Sequence, residues 1–466
     1  YPVRMQMNGE FYQLASHTDV MGEDQLDRMG YDSRGALYKA AGTVTPDESS
    51  TGGFEKKTRT WESHADYQAL AAAINEARPL GLRRTNAFEM LDLPNVINYL
   101  ACARWVQEAD DVWANMTLYR DSEGDGRWRI IPFDMNLSWG QLYYGDNTGR
   151  NGGVTATDDD NKGHPLYGGS AVLPISGSSW NRMYDVIISV PETRQMLLRR
   201  MRSLLDGWAQ PPSTHPLLRK FEAHIAVLTN AMWTEAFIDR AKWKWPPLSG
   251  PYGLGDNQWI TNATDDIIQS FIIPRRAHWY VTHSITNTAR PIGVGNTRNA
   301  GIPESQPPGT TLSFLALESS PLSGRQAEEY LCLTNPNPFA VDISGWRVAG
   351  DIALEFKGGT VVPSNSVVYL SPDLAAFRDR ADSPHGGQGL FVVGPYKGQL
   401  SVRGGDLHLS NDSGAEVARL SYDPRLTPAV AGLRVSELMY HPALPPSGSP
   451  YRASDFEYIE LVNSGA

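Results

Sequence analysis

The chain has 466 residues, more than one hydrophobic core usually supports, and its net charge is −11. This length predicts two or three domains, and the content of 41% hydrophobic and 20% charged residues is typical of folded soluble proteins. The negative charge argues against a nucleic-acid polymer as an electrostatic partner. No apolar run reaches the roughly 18 residues of a membrane-spanning helix.

The two cysteines, Cys102 and Cys332, are far apart in the sequence. Cys102 lies in an apolar helical pattern and Cys332 in a strand pattern, so both are expected to be small buried hydrophobic residues. Neither a disulfide framework nor a cysteine metal site is predicted.

Both ends of the sequence look interrupted. The chain starts at Tyr1 inside a strand pattern, and the segment from Glu457 to Ala466 stops inside another. We therefore expect a fragment of a longer protein, in which a signal peptide could have been lost.

The first third of the chain predicts mixed strands and helices. Asn8-Gly9 is the strongest short signal for a β-hairpin turn. The further elements expected in chain order are a strand at 35–40, a helix from about Ser63, a helix at 94–106 capped by Asp92, and a hairpin with arms at 116–119 and 128–132.

The middle of the chain predicts a long loop followed by helices. Residues 141–179 are rich in Gly, Asp and Ser without clear periodicity, and such a long loop is usually functional or mobile. Helical patterns dominate from about 180 to 285. A Gly-, Pro- and Asn-rich segment then predicts a linker over residues 286–309.

After the linker, short alternating strands with frequent turns predict an all-β sandwich over residues 310–424. The pattern also repeats: Glu329 to Asn335 recurs as Glu457 to Asn463, and Ser313 to Leu317 is echoed by Val435 to Met439. This repeat predicts a second, truncated copy of the module over residues 433–466.

Phosphoryl transfer requires a lysine for phosphates, a carboxylate for the attacking hydroxyl and oxygen ligands for Mg²⁺. The first domain contains these residue types in the order found in kinases. Lys39 lies on the predicted strand at 35–40, where its ammonium could reach phosphate oxygens. A solvated strand lysine is the alternative interpretation of the same pattern.

Asp110 and Asn115 follow the predicted helix at 94–106 and are five residues apart, the D-x-x-x-x-N spacing of a kinase catalytic loop. The aspartate would orient the substrate hydroxyl, and the asparagine oxygen would bind metal. Asp111 is an alternative to Asp110, because the sequence does not fix the register. This spacing is also common by chance.

Asp134 ends the strand that follows this loop, the place where a kinase has its metal-binding aspartate. Asn136 could add a neutral oxygen ligand, since Mg²⁺ accepts one or two carboxylates plus waters and phosphates. An Asx-turn at a strand end explains Asp134 equally well from the sequence alone.

These segments together resemble successive motifs of the CotH (spore coat protein H) kinase family, in the same order and with similar spacing over about residues 1–285. The segments that carry the resemblance are Asn8 to Tyr12, Gly35 to Lys39, Phe54 to Lys57, Asp110 to Asn115, and Ile131 to Gly140. Each is modest alone, and five in order are fairly specific.

The resemblance implies an α+β atypical protein-kinase-like domain over residues 1–285, truncated at its N-terminus. It also implies binding of ATP with a divalent metal, Mg²⁺ or Mn²⁺, and phosphorylation of Ser in protein substrates. By the same resemblance, Lys39 matches the nucleotide-binding lysine, Asp110 the catalytic aspartate and Asp134 the metal-binding aspartate.

The sequence departs from the family pattern at three positions. Gln13 replaces a glycine, Asp19 stands where the family has a glutamate that would pair with the lysine or the metal, and Asn136 replaces a second aspartate. Asp19 keeps the charge on a shorter side chain. Asn136 removes one negative charge, which is expected to weaken metal binding.

Two acidic segments have other interpretations. The turn from Asp121 to Gly126 superficially resembles a calcium loop, but the downstream glutamate of an EF-hand is missing, so a plain hairpin turn is favoured. Asp158 to Asp160 and His164 lie in the long loop. A solvated loop is favoured there over a lid that contacts substrate or metal.

Residues 310–424 resemble a lamin-tail domain, an immunoglobulin-like all-β sandwich. The resemblance rests on Glu329 to Asn335, Val341 to Trp346, and Gly359 to Pro363. Trp346 is expected to be a core anchor behind a turn shaped by Asp342 and Gly345. The resemblance implies a binding or spacing module with cell-surface or glycan contacts.

Three functions are compatible with these features. The first is an ATP- and metal-dependent protein kinase acting on secreted or cell-surface proteins of a bacterium. The second is an inactive kinase fold that serves in surface adhesion or assembly through its β modules, which Gln13 and Asn136 favour. The third, a glycan-binding protein, fits the 13 Trp and 20 Tyr but has no motif behind it.

Overall fold

The computed structural model of the protein describes residues 1–40, 44, 53–108, 111, 115–135, 138–140, 156–157, 181–243, 259–292, 298–425 and 432–464. Asp110, Asn136, the acidic triplet at 158–160 and His164 lie outside these described residues. Within the described part of the chain, no helix is both long and apolar enough to cross a bilayer.

The chain begins with the predicted hairpin, whose strands are β1 (Pro2–Met7) and β2 (Glu10–Ser16). The φ angles at Asn8-Gly9 are 54° and 85°, the left-handed backbone that a type I′ turn requires and that Asn and Gly adopt most readily. The hairpin packs on the long helix Lys220–Trp243.

A four-stranded antiparallel sheet follows, in the order β4-β3-β5-β6. Its strands are β3 (Ala36–Ala40), β4 (Phe54–Lys56), β5 (Thr117–Arg120) and β6 (Trp128–Ile131). One face, which includes Tyr38 and Leu118, packs into the main core. The other face is covered by α1 (Glu23–Arg28), so each strand alternates between two apolar environments.

In the described part of the first half of the chain, α1 is followed by eight further α-helices. They are α2 (Ala65–Ala73), α3 (Leu80–Met90), α4 (Leu93–Val106), α5 (Arg182–Ser189), α6 (Pro191–Leu204), α7 (Lys220–Trp243), α8 (Ile260–Asp266) and, after a π-helical turn, the short α9 (Ile273–Ala277). The start of α4 is as predicted, because the Asp92 carboxylate accepts the Asn95 N–H at 3.4 Å. The sequence reading missed α3.

The predicted burial of the two cysteines is half correct. Cys332 is buried, and burial raises the pKa of its thiol to about 12. Cys102 is exposed on α4, so its prediction was wrong. Its side of the helix lines an apolar cavity of about 300 Å³ beside Trp208 and Trp279 rather than the closed core.

The second half of the chain is rich in β-strands. The strands from 313 to 422 are β7 (Ser313–Glu318), β8 (Tyr330–Asn335), β9 (Val341–Asp342), β10 (Arg347–Gly350), β11 (Ile352–Glu355), β12 (Val361–Val362), β13 (Ser366–Leu370), β14 (Val392–Val393), β15 (Lys397–Gly398), β16 (Gly405–Ser410) and β17 (Glu416–Tyr422), with α10 (Leu374–Arg378) between β13 and β14.

These strands form a five-stranded sheet, β15-β11-β10-β16-β17, and a four-stranded sheet, β14-β13-β8-β7, with a small β12-β9 pair. Apolar residues of both larger sheets belong to one buried cluster, which is consistent with a β-sandwich. Trp346 is buried in it, as predicted. The turn before Trp346 is shaped by the Asp342 carboxylate, which accepts the Ser344 N–H at 3.0 Å, and by Gly345 at φ 78°.

The last hairpin of the described chain shares backbone features with the β7–β8 pair, and the prediction of a second module copy stays a prediction. The last hairpin pairs β18 (Leu433–Met439) with β19 (Tyr458–Asn463). It has an irregularity between Val435 and Glu437, and a 3₁₀ turn precedes its second strand. The β7–β8 pair has both features in the same places. Ile459 and Leu461 of β19 are exposed, whereas their counterparts in β8, Leu331 and Leu333, are buried.

The two halves of the chain share one buried core, and α6 provides much of the contact. Arg199 donates to the Ala340 carbonyl at 2.9 Å, and Arg200 forms an ion pair with Asp342 at 3.1 Å. The predicted linker is anchored to the same helix, because Arg202 donates to the Pro303 carbonyl at 3.1 Å. The β-rich half is therefore attached along a broad contact and not by a loose tether.

The acidic turn from Asp121 to Gly126 is a hairpin turn, as favoured by its sequence, and its carboxylates are bound by arginines. The Asp125 carboxylate contacts Arg127 at 2.8 Å and Arg129 at 2.6 Å, and Arg129 also contacts Asp92 at 2.8 Å. Burial raises the pKa of Asp92, but Arg127 and Arg129 outweigh it, so the net pKa is lowered. This buried ion-pair group ties the β5–β6 hairpin to the start of α4.

We predict that Asp92→Asn lowers the free energy of unfolding by about 3 kcal/mol, because two buried guanidinium groups would lose a charged partner. Asparagine has nearly the same shape as aspartate and can still cap α4, so the variant tests the effect of the negative charge alone. Urea denaturation at pH 7 measures the change. Because the pKa of Asp92 is lower in the folded than in the unfolded chain, its contribution to stability is complete above the pKa of an unfolded aspartate. The contribution is lost as the pH falls through the lower, folded-state pKa.

The matched control is Asp373→Asn. Asp373 caps α10 by accepting the Ala376 N–H at 3.0 Å but is exposed and has no ion pair among the described residues. Its substitution is expected to change stability by less than about 0.5 kcal/mol. Equal losses in the two variants would contradict the role given to the buried ion-pair group.

Candidate functional site

One end of the four-stranded sheet collects three of the predicted site residues. Lys39 on β3 lies opposite Thr117 on β5, and Thr117 lies opposite Ile131 on β6. Asn115 precedes Thr117 by two residues, and Asp134 follows Ile131 by three. At about 3.3 Å per residue, both lie within about 10 Å of this row along the strand direction. Lys39, Asn115 and Asp134 are therefore at the same end of the sheet.

Lys39 contacts the segment that carries Asp134. Its ammonium lies 4.8 Å from the centre of the Phe133 ring, a cation–π distance, and Phe133 is the residue before Asp134. The lysine is partly exposed and forms no ion pair within 4 Å among the described residues. The cross-strand neighbour of Lys39, Glu55, is paired with Lys57 at 2.7 Å, so the Lys39 ammonium remains available for an anionic ligand.

A second lysine, Lys56, lies on the opposite face of the sheet. Its ammonium is 3.2 Å from the Glu62 carboxylate and 3.8 Å from that of Asp66, and its side chain is only 3% exposed. It also lies over the Tyr38 ring at 5.3 Å. Lys56 is thus neutralised within the core, whereas Lys39 lies in the row of the sheet that leads to Asp134.

The backbone around this end is locally strained. Among the described residues, eight non-glycine residues have a positive φ. Asn115 (49°) and Asp134 (49°) lie just beyond the strands at this end, and Gln107 (55°) and Trp139 (66°) lie where the neighbouring segments meet the C-terminus of α4. Asn and Asp tolerate this region better than most residues, but it is still uncommon. Such conformations often concentrate at functional sites, where the surrounding structure holds them.

The Asp134 segment is fixed at its far end to the C-terminus of α4. Trp139 donates its N–H to the Val106 carbonyl at 2.7 Å, and the Ser138 hydroxyl donates to the buried Glu108 carboxylate at 2.8 Å. The predicted catalytic loop leaves α4 at this same point. Both segments are therefore positioned by one helix end, although Asp134 itself is exposed to solvent.

Asp111 is the centre of a buried polar cluster. Arg104 of α4 donates to one carboxylate oxygen, and the hydroxyls of Tyr99 and Tyr184 donate to the other at 3.2 and 3.1 Å. Asp111 is 1% exposed. Burial and this carboxylate raise the pKa of both tyrosines well above its usual value. The cluster anchors the loop to α4 and α5, and both oxygens of the Asp111 carboxylate are occupied by hydrogen bonds within it.

A family model described as CotH kinase protein matches residues 1–279. The chain belongs to the CotH kinase family. This confirms the family resemblance and supports a kinase-like fold for this part of the chain. The match ends before the β-rich half, so the likeness of residues 310–424 to lamin-tail modules stays a prediction. A search of curated proteins found no match.

Of three further residues predicted from the CotH pattern, only Asp19 lies within the described part of the chain. Asp19 is exposed, and its carboxylate contacts Arg28 at 3.0 Å rather than Lys39. Two residues later, Met21 accepts the Thr117 hydroxyl at 3.9 Å, which places this segment beside the row that contains Lys39. Asn136 and Asp110 lie outside the described residues, so their predicted roles are untested.

The donor set at this end of the CotH domain fits a metal–nucleotide complex better than a bare metal. Among the described residues, no group of three or more His, Cys, Asp or Glu side chains could hold an ion. Asp134 and Asn115 supply a carboxylate and an amide oxygen, which suits Mg²⁺ when phosphates and waters provide the other ligands. Lys39 supplies the positive charge that phosphates require.

Sequence reasoning missed the residues that position this site. Phe133 holds the Lys39 ammonium, and Arg104 with two tyrosines holds Asp111. Phe133 and Tyr184 are far in sequence from Lys39 and Asp111, and an apolar helical pattern gives no sign that Tyr99 and Arg104 point to a loop carboxylate. Only the D-D doublet at 110–111 hinted that the two aspartates have separate roles.

Proposed function

We propose that this CotH-family chain is a phosphotransferase that uses ATP with Mg²⁺ or Mn²⁺ to phosphorylate serine in secreted or cell-surface proteins. The single observation that carries the proposal is the placement of Lys39 against Phe133, next to Asp134 and at the same end of the sheet as Asn115. Three separate parts of the chain supply the residue types that phosphoryl transfer requires.

In this proposal, Lys39 binds phosphate oxygens, and Asp134 with Asn115 would hold the divalent ion. The metal, when bound, neutralises charge on the phosphates. Asp110 orients the serine hydroxyl and takes its proton. Asp111 is assigned a positioning role because its carboxylate is already bound by Arg104, Tyr99 and Tyr184. Asp19 is assigned a supporting charge near the nucleotide.

The test is transfer of labelled phosphate. The full 466-residue chain is incubated with γ-labelled ATP and either Mg²⁺ or Mn²⁺, with dephosphorylated casein as a generic serine-containing acceptor. Incorporation into casein or into the chain itself, recovered as phosphoserine, is the expected result. If no label is transferred with either metal, the proposal fails.

The second candidate is an inactive CotH fold that acts in surface adhesion or assembly through its β-rich half. Two observations favour it. Asn136 stands where the family has a second aspartate, and the two halves share a buried core that would make a rigid scaffold. A chain that neither transfers label nor shows a nucleotide-dependent rise in Tm would support this candidate.

Lys39→Met is expected to weaken ATP binding by about tenfold or more, because a charge-assisted contact to phosphate is lost while the aliphatic packing on Phe133 remains. Isothermal titration calorimetry with ATP and Mg²⁺ measures this. Lys57→Met is the matched control, since Lys57 lies one residue beyond β4 and is paired with Glu55 at 2.7 Å. Unchanged affinity in the Lys39 variant would contradict the assignment.

A further inference from the structure

A cleft between the two halves of the chain lies at the end of the four-stranded sheet remote from Lys39. Its volume is about 510 Å³. Pro94 and Arg127 form the wall on the side of the kinase-like domain. The other wall is formed by β10, by β11 and by the segment 393–397 that leads into β15.

This cleft runs along an open strand edge. β15 pairs with β11 only through Ile352 and Ala353, whereas β11 continues beyond them to Glu355. On the side of β15, no strand of the described chain lies beside Leu354 and Glu355. An edge with this property is a template for pairing with another extended segment.

The backbone of Glu355 points toward the cleft. The Phe356 N–H donates to the Trp346 carbonyl at 2.9 Å, and the Phe356 carbonyl accepts the Gly345 N–H at 2.8 Å, so Phe356 faces the β10 side. Backbone groups of successive strand residues point to opposite sides. The N–H and C=O of Glu355 therefore point away from β10, where they could bond an added strand.

The charge around the cleft is positive although the whole chain carries −11. Four cationic and two anionic side chains line it, a net charge of +2: Arg127, Arg347, Lys357, Lys397, Asp92 and Glu355. Arg347 pairs with Glu355 at 3.0 Å, and Arg127 lies 3.7 Å from Asp92. The two exposed lysines, Lys357 and Lys397, form no ion pair within 4 Å among the described residues.

We propose that this cleft binds an extended, acidic segment of a partner protein as an added strand beside β11, in line with β15. The added backbone would bond Glu355, the apolar walls at Val348, Phe356 and Val393 would take alternate side chains, and acidic side chains would meet Lys357 and Lys397. This docking surface is separate from the proposed phosphoryl-transfer site and does not depend on it.

The test uses two fluorescein-labelled peptides, one alternating valine with glutamate and one alternating valine with lysine, titrated with the full chain by fluorescence anisotropy. We expect saturable binding of the glutamate peptide only. Glu355→Pro removes the outward N–H, which is expected to weaken binding about fivefold. Glu355→Ala removes the same side chain but keeps that N–H, and since the cleft loses one negative charge, its affinity for the glutamate peptide is expected to equal or exceed that of the unmodified chain.

Charge reversal provides the second arm. The double variant Lys357→Glu and Lys397→Glu is expected to lose the glutamate peptide and to bind the lysine peptide instead. Thermal unfolding of each variant checks that the fold is intact. Equal affinity in the Glu355→Pro and Glu355→Ala variants would overturn strand addition, as would no binding of the glutamate peptide at about 1 mM. Competition by inorganic phosphate without any effect of Glu355→Pro would overturn it in favour of a simple anion site.

Discussion

Asp134→Ala is expected to lower the rate of phosphate transfer from ATP by about a thousandfold or more, with little change in Tm. The rate falls because the only described carboxylate at this end of the sheet that is free of a protein partner would be lost from the metal–phosphate site. The fold is spared because Asp134 is exposed and makes no hydrogen bond or ion pair among the described residues. Label transfer to casein gives the rate, and thermal unfolding gives Tm.

Two variants make this prediction specific. Asp412→Ala removes an exposed aspartate from the turn between β16 and β17 and is expected to leave the rate unchanged. Asp134→Asn keeps the shape and one oxygen ligand but loses the charge, and its rate is expected to lie between those of the alanine variant and the unmodified chain. Label transfer that is equally fast in Asp134→Ala would exclude Asp134 from the phosphoryl-transfer site.

Local signals in the sequence predicted much of the fold. The Asn8-Gly9 turn, the Asp92 cap of α4 and the β5–β6 hairpin each depend on residues within a few positions of one another. The burial of Trp346 followed from a pattern of similar range. In these cases the residues that determine the backbone conformation are close together in the sequence, so the sequence alone predicts the local structure.

The relative positions of the site residues are harder to predict from the sequence, because they depend on the register in which distant strands pair. The sequence placed Lys39 on a strand but could not state that Thr117 and Ile131 lie beside it. The burial of Asp111 depends on Tyr184, which is 73 residues away. The prediction for Cys102 was wrong for a different reason. The apolar pattern of its helix indicated burial, but Cys102 lies on the side that lines an open cavity.

The sequence left Asp110 and Asp111 as alternative catalytic aspartates. The polar cluster around Asp111 predicts different effects of substituting each one. Asp111→Ala is expected to lower the free energy of unfolding by about 3–5 kcal/mol, because Arg104 would remain buried without its counter-charge. Asp110→Ala is expected to abolish phosphate transfer with a change in stability below about 1 kcal/mol. Urea denaturation and label transfer are measured on both variants.

Variants of Arg104 and Tyr184 test whether the loss of stability in Asp111→Ala arises from this polar cluster. The double variant Arg104→Met with Asp111→Leu removes both charges, so it is expected to be more stable than Asp111→Ala, since the buried guanidinium that loses its bonded carboxylate is removed as well. Tyr184→Phe removes one hydrogen bond and is expected to lower stability by about 1 kcal/mol. If instead Asp111→Ala unfolds like the unmodified chain but transfers no phosphate, then Asp111 is the catalytic aspartate. The buried cluster would then have to open during catalysis, because a carboxylate bound by an arginine and two tyrosines cannot also accept a proton from a serine hydroxyl.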